Sequence, residues 1–184
     1  MKNSIAVLAA IGSLSACGGD GGASGFAARE DAAIALRNQL AEFDISEASA
    51  IPTTGDATYE GLIGYEQADF AVIGDLLVGF NFQSNAISGN ASNFLDSDGV
   101  RYQGSLALSN GNIDRTADPD TDFQFVADLG GSLQAGGQTF TVNSFLDGNF
   151  LGPQREGIAG FVVGVIDGPD GTIFVDGEFG ALKQ

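Results

Sequence analysis

Closely spaced acidic residues are the side chains whose types and spacing come nearest to a chemical site. Two loops carry alternating aspartates: Asp118, Asp120 and Asp122 in "ADPDTDF", and Asp96 and Asp98 in "DSDG". Carboxylate oxygens in such loops are calcium ligands. An EF-hand loop beginning at Asp118 requires Gly at its sixth position and Glu at its twelfth, but Phe123 and Leu129 stand there. We therefore predict solvated acidic loops and no metal site, and keep calcium binding as a hypothesis.

A second pair of carboxylates, Asp176 and Glu178, lies on one face of a predicted strand. Two carboxylates are enough to hydrolyse a glycoside without histidine. The chain has no His and one Cys, which excludes Ser-His-Asp and Cys-His catalysis and removes the imidazole and thiolate ligands of most transition-metal sites. Nothing in the sequence marks the two acids as buried. We predict a non-catalytic protein with no catalytic residue and no cofactor.

The lone cysteine, Cys17, follows a segment typical of an export signal. Lys2 precedes an apolar run over residues 5–11, and small residues end it. Such a run is too short to span a bilayer and marks residues 1–16 as a signal peptide. The stretch "LSAC" at residues 14–17 resembles the lipobox of bacterial lipoproteins, in which the cysteine becomes the N-terminus and carries acyl chains such as palmitate. Two or more chains give stable membrane anchoring. We predict lipid attachment at Cys17; the alternative is an ordinary signal peptide with an incidental cysteine.

Residues 17–25 predict a flexible tether, since Gly/Ser-rich segments behave as random coil. In lipoproteins an Asp directly after the cysteine signals retention at the inner membrane. Gly18 occupies that position here, so the resemblance implies the outer membrane, with the cell surface favoured over the periplasmic face. The formal net charge of −17 argues against nucleic acid as a partner. It suits a basic protein partner, or simply keeps an exported protein soluble.

One helix is predicted before the main domain. Residues 26–43 are rich in good helix formers, and Leu36, Leu40 and Phe43 repeat on one face. Ser24 is the expected N-cap. Residues 26–48 are therefore predicted to form a short helix and a linker that pack on the domain at residues 51–184.

From residue 51 onward the pattern predicts an all-β domain of eight strands. We place the strands at residues 56–65, 70–82, 85–94, 100–108, 122–134, 138–151, 157–166 and 172–182. Large side chains alternate to one face of these strands: Phe70, Val72, Leu76, Val78, Phe80 and Phe82 in the second; Phe123, Phe125, Ala127, Leu129 and Leu133 in the fifth; Ile173, Val175 and Phe179 in the last.

Glycines share these faces, namely Gly74, Gly131, Gly148 and Gly177. Glycine inside a strand is typical of bends and close backbone approach, and large residues beside glycines suit the interior of a small closed barrel. The alternative is a barrel that spans the outer membrane, which requires aromatic girdles. The chain has no Trp and three Tyr. We predict a small, eight-stranded, antiparallel, water-soluble β-barrel.

The C-terminal stretch "GNFLGPQREGIAGF" suggests a family. Gly148, Phe150, Gly152, Pro153, Glu156 and Gly160 fall at matching positions. The stretch resembles the C-terminal β-barrel domain of transferrin-binding protein B and related bacterial surface lipoproteins. Leu151, Arg155, Gly157 and Ala159 depart from that pattern. The resemblance covers about residues 51–183 and implies an eight-stranded barrel on a surface or periplasmic lipoprotein; it does not imply transferrin binding, and it assigns no binding residue.

Three functions remain open from the sequence. The first is an accessory receptor, lipid-anchored, that binds an extracellular protein or solute. The second is a periplasmic carrier that holds a small ligand in the barrel interior, which in eight strands has room for at most one. The third is a structural or adhesive surface module. The many Phe residues either line such a pocket or fill it, and we expect them to fill it.

Overall fold

The computed structural model describes residues 22–67, 70–118 and 121–184. The predicted signal peptide and Cys17 lie outside these residues. The described chain forms one helix, a single 3-10 turn and eight strands: α1 (Gly22–Leu40), the turn (Ala48–Ala50), β1 (Asp56–Gln67), β2 (Phe70–Asn81), β3 (Ala86–Asp96), β4 (Gln103–Ile113), β5 (Phe125–Ala135), β6 (Gln138–Leu151), β7 (Gly157–Gly168) and β8 (Gly171–Lys183).

The strands close into a barrel. Each strand pairs antiparallel with the next in sequence, and β1 pairs antiparallel with β8, so that Ile63 lies opposite Phe179. Each of the eight strands therefore has a paired neighbour on both sides, so none of them is an edge strand. The predicted eight-stranded antiparallel barrel is confirmed.

Two predicted strand boundaries are wrong in an informative way. β4 continues to Ile113 instead of ending at residue 108, because an irregular pairing between Ser109 and Asn112, with Asn110 at φ 50°, carries the strand through a stretch that resembles a turn. β5 begins at Phe125, so Phe123 is outside the strand and 38% exposed instead of facing the core. Gln124, between them, is fully buried.

The barrel interior is filled by alternate residues of all eight strands. One half holds a cluster of aromatic rings: Tyr59, Phe80, Phe82, Phe125, Phe150 and Phe179. Gly148 makes room for it, because a Cβ there would lie 2.5 Å from Cζ of Phe125 and 2.7 Å from Cζ of Phe179. Gly74 does the same for the ring of Phe94. The predicted pairing of glycine with large residues on the inner face is confirmed at these two positions.

The barrel has two ends, which we name by what lies there. The hairpin end carries the β1–β2, β3–β4, β5–β6 and β7–β8 connections; the linker end carries the chain that enters β1. At the linker end, Ser46 N–H donates to the Phe150 carbonyl (2.8 Å) and Ser46 Oγ to the Gly152 carbonyl (2.6 Å). The buried side chain of Gln124 donates to the Ser46 carbonyl and accepts from Phe150 N–H. This end is closed.

Helix α1 lies on the outside of the barrel, against β8, β2, β3 and β7. It starts beside the hairpin end, where Gly25 packs against Leu95. It then passes Asp75, which accepts a hydrogen bond from Arg29 (3.0 Å), and ends at Leu40, buried against Gly157 and Gly180. None of the described helices has the length and apolar character needed to cross a membrane.

The predicted bounds of the helix, residues 26–43, are wrong at both ends. The helix begins at Gly22, so residues 22–25 of the predicted tether are helical and Ser24 lies inside the helix rather than at its cap. It ends at Leu40 because the chain then turns to bring Asp44 and Ser46 to the linker end, where the Asp44 carbonyl accepts from Gly152 N–H (2.7 Å).

Candidate ligand pocket

The hairpin end of the barrel holds a cavity of about 260 Å³. It lies between the packed aromatic half of the interior and the β7–β8 turn. Its walls are mostly aliphatic and aromatic: Tyr65, Phe70, Val72, Phe94, Tyr102, Leu133, Phe140, Val142, Ile166 and Ile173, with residues 168–171 at the mouth. The inward alternation of β1, β2, β6, β7 and β8 directs these side chains to the same space.

Tyr65 lines the pocket through its ring, and its hydroxyl is held inside the wall. The Tyr65 hydroxyl and Ser144 Oγ are 2.9 Å apart, and Ser144 Oγ donates to the Leu129 carbonyl (3.0 Å). Because the serine proton is used on that carbonyl, Tyr65 is the donor of the pair. Burial raises the pKa of Tyr65 to about 12, so the hydroxyl is neutral at physiological pH.

Tyr102 forms the rim of the pocket together with Phe140. The two rings meet edge to face at 5.6 Å. The Tyr102 hydroxyl donates to Asp96 Oδ2 (3.1 Å), while Asp96 Oδ1 accepts from the N–H groups of Asp98 (3.1 Å) and Val100 (2.7 Å). Burial, and then the charge of Asp96, raise the pKa of Tyr102 to about 12. The buried carboxylate thus fixes the β3–β4 loop and the ring it carries.

The chemistry of the pocket is that of an apolar site. Both tyrosine hydroxyls already have protein partners, and the carboxylate of Asp170 is at the exposed mouth. Within the described parts of the chain, no three His, Cys, Asp or Glu side chains come together in a way that would hold a metal ion. The arrangement offers contact area to a hydrocarbon or aromatic ligand.

Of the acidic residues singled out in the sequence, Asp96 is buried behind the pocket rim and is not solvated as predicted, whereas the other described ones lie outside the pocket wall. The N–H groups of Thr121 (3.0 Å) and Asp122 (2.7 Å) donate to the Asp118 carbonyl in a turn of the β4–β5 connection, and Asp120 lies outside the described residues. Asp176 and Glu178 are exposed on the outer side of β8, where Glu178 accepts from Arg37 of α1 at 2.5 Å. Neither group contributes to the pocket.

The pocket residues were not identified from the sequence. We expected the aromatic side chains to fill the interior, and at the linker end they do. The missed signal is position along the strand: Tyr65, Phe94, Tyr102 and Phe140 are all within a few residues of the hairpin connections, where a barrel interior opens. Which end remains open depends on the linker, and the linker has no alternating pattern that would reveal where it docks.

Comparison with known proteins finds similarity among solved structures. No family model matches the chain, and no curated protein matches it. Among solved structures, a mutant of the vaccine antigen transferrin-binding protein B from Haemophilus parasuis Hp5 is similar at a TM-score of 0.44 and 15% sequence identity. The match covers 77% of this chain and 28% of that chain, so this chain spans less than a third of its length.

Proposed function

We propose that the chain is a non-catalytic, lipid-anchored binding barrel that holds one small apolar ligand in the pocket at its hairpin end. The observation that carries the proposal is the asymmetry of the interior. Aromatic rings and a hydrogen-bonded linker close one end, whereas a cavity of about 260 Å³ remains at the other. Ligand pockets are typically about 300–1,000 Å³, and this one is slightly smaller, so it suits only a small ligand.

The proposed ligand is uncharged and largely hydrocarbon. Apolar surface that the ligand and the pocket walls bury together contributes about 25 cal/mol per Å² to the free energy of binding. The walls offer no unpartnered tyrosine hydroxyl to a polar group. The sequence favoured an accessory receptor for a protein or solute. The pocket instead supports the small-ligand carrier that was the alternative.

A pocket-filling variant tests this proposal. The labelled protein is titrated with 1-octanol and followed by NMR, and the protein from its native host is examined by native mass spectrometry. Ile173 is partly buried in the pocket wall, so Ile173→Trp should fill the cavity and abolish the octanol shifts. Leu77→Trp, on the outer side of β2, is the matched control and should bind like the parent protein. Equal binding by parent and Ile173→Trp would refute the pocket as the binding site.

The membrane part of the proposal rests on the lipobox-like motif and has its own test. Labelling cells with palmitate should mark the protein, and Cys17→Ser should lose the label and release the protein from membranes. Protease treatment of intact cells, with a tag placed after Lys183, separates the two faces of the outer membrane. Digestion without lysis supports the cell surface, and protection supports the periplasmic face.

A further inference from the structure

The outer side of β5–β8 exposes apolar side chains in an unusual concentration. Among the described residues, ten large apolar side chains are exposed, and six of them are on or beside these strands: Phe123, Val126, Phe145, Phe161, Val163 and Phe174. Phe174 is 78% exposed and Phe161 52%. We call this set the outer apolar face. Helix α1 packs on β7 and β8 near Gly157 and Gly180, and these six side chains remain exposed beside it.

The strand register joins these side chains into one patch. Phe145 lies directly opposite Val163, and Phe174 opposite Val165. The ring of Phe123 meets that of Phe161 edge to face at 6.1 Å, although Phe123 lies outside any strand. A contiguous apolar patch of this kind on a folded protein marks an interaction surface.

Acidic residues alternate with the apolar ones on the same face. Asp128 is paired with Phe145, Asp147 with Phe161, and Asp176 with Val163. Among the described residues the salt bridges are Arg29–Asp75 and Arg37–Glu178, so these three acids have no basic partner there. The one Lys or Arg in β5–β8 is Lys183, at the end of β8.

We propose that the outer apolar face binds a protein segment that presents apolar or aromatic side chains together with Lys or Arg. Charge complementarity selects this occupant. A second copy of the chain would bring its own acids against Asp128, Asp147 and Asp176, and an anionic lipid surface or a nucleic acid would meet the same repulsion. A basic, apolar segment gains from both features, with the phenylalanines as buried anchors.

The test uses defined probes. A synthetic amphipathic Leu/Lys peptide is titrated into the labelled protein by NMR, beside the same peptide with every Lys replaced by Gln. The Leu/Lys peptide should shift resonances on β5–β8, with an affinity that falls as salt is raised, and the Leu/Gln peptide should bind much more weakly. Shifts scattered over the surface, or equal binding of the two peptides, would overturn the proposal.

Variants locate the site. Phe161→Ser should lower the affinity for the Leu/Lys peptide by about tenfold, the scale of one aromatic anchor. Asp176→Asn should lower this affinity less and should reduce its dependence on salt concentration. Val100→Ser and Asp98→Asn, which change an exposed apolar and an exposed acidic residue of the β3–β4 loop, should leave the affinity unchanged. Three results would overturn the proposal. The first is that Val100→Ser weakens peptide binding as much as Phe161→Ser does. The others are a dimer in sedimentation that Phe161→Ser abolishes, and Phe161-dependent binding to vesicles of anionic phospholipid. Because Ile173→Trp leaves this face intact, it should not change peptide binding, which separates this proposal from that of the pocket.

Discussion

The hydroxyl of Tyr65 and Oγ of Ser144, 2.9 Å apart, join β1 to β6 through the barrel interior. Ser144 Oγ in turn donates a hydrogen bond to the Leu129 carbonyl of β5. A short polar chain inside an otherwise apolar wall therefore ties three strands together and leaves only the tyrosine ring facing the pocket.

This arrangement ranks two substitutions. Tyr65→Phe removes one hydrogen bond and leaves Ser144 bonded to Leu129, so we expect a loss of about 1 kcal/mol in the free energy of unfolding. Ser144→Ala leaves both the tyrosine hydroxyl and the Leu129 carbonyl without that partner, and should be more destabilising. Urea denaturation of the two variants measures the order, and the reverse order would contradict the proposed donor assignment.

Stability should decline at alkaline pH. The pKa of Tyr65 is about 12 in the folded protein against an ordinary value of 10.0. The folded state thus holds this proton more tightly, so its contribution is fully present below pH 10 and is lost as the pH rises from 10 through 12. Urea midpoints measured from pH 9 to 11.5 should fall, and fall less in Tyr65→Phe. Part of the decline in stability should remain in that variant, because the pKa of Tyr102 is also raised. A flat profile in the parent protein would contradict the prediction.

Gly148 should not tolerate even a methyl group. Its Cβ would approach the rings of Phe125 and Phe179, and the Ala159 carbonyl at 3.0 Å limits relief. Gly148→Ala should destabilise by about 1–3 kcal/mol through overpacking. Gly64→Ala is the control, because a Cβ there meets nothing closer than 3.7 Å. Thermal unfolding of both compares them, and equal midpoints would argue against a tightly packed linker end.

Arg115 holds the linker end together. Its guanidinium donates to the Pro52 carbonyl (2.6 and 3.0 Å), the Phe82 carbonyl (2.7 Å) and Asn85 Oδ1. Arg115→Met removes these donors from partly buried carbonyls and should lower the free energy of unfolding by about 2–3 kcal/mol. Arg101→Met, at an exposed position, should change it little. Chemical denaturation gives both values, and similar losses in the two variants would contradict a structural role for Arg115.

Asp147 should oppose folding at neutral pH. Partial burial raises the pKa of this carboxyl above its ordinary value of 3.8. The folded state therefore favours its protonated form, and the penalty is present above the folded pKa and disappears as the pH falls below 3.8. Asp147→Asn should raise the melting temperature at pH 7, with an advantage that shrinks towards pH 3. Asp170→Asn, in the exposed β7–β8 turn, serves as the control. If the gain in melting temperature of Asp147→Asn grew as the pH was lowered, the prediction would be contradicted.

The sequence predicted the barrel well because inward alternation and glycine placement are local consequences of a closed sheet. β6, with Val142, Leu146 and Phe150 all facing in, was placed with its bounds correct. The predicted start of β5 was wrong because Phe123 continues the apolar alternation by two residues, although the strand begins only at Phe125. The pocket and the outer apolar face were not predictable in the same way. Each depends on what covers one part of the barrel, and the docking of residues 41–51 and of α1 is settled by tertiary packing.

The course of α1 has a consequence for delivery. The helix begins beside the hairpin end, where Gly25 contacts Leu95, so the chain leaves the barrel near the mouth of the pocket. Four residues, 18–21, separate it from the cysteine, and the five residue steps from Cys17 to Gly22 span at most roughly 18 Å. A protein lipidated at Cys17 would therefore hold its opening towards the bilayer. A hydrophobic ligand would pass between lipid and barrel across a thin layer of water instead of diffusing through the open solution.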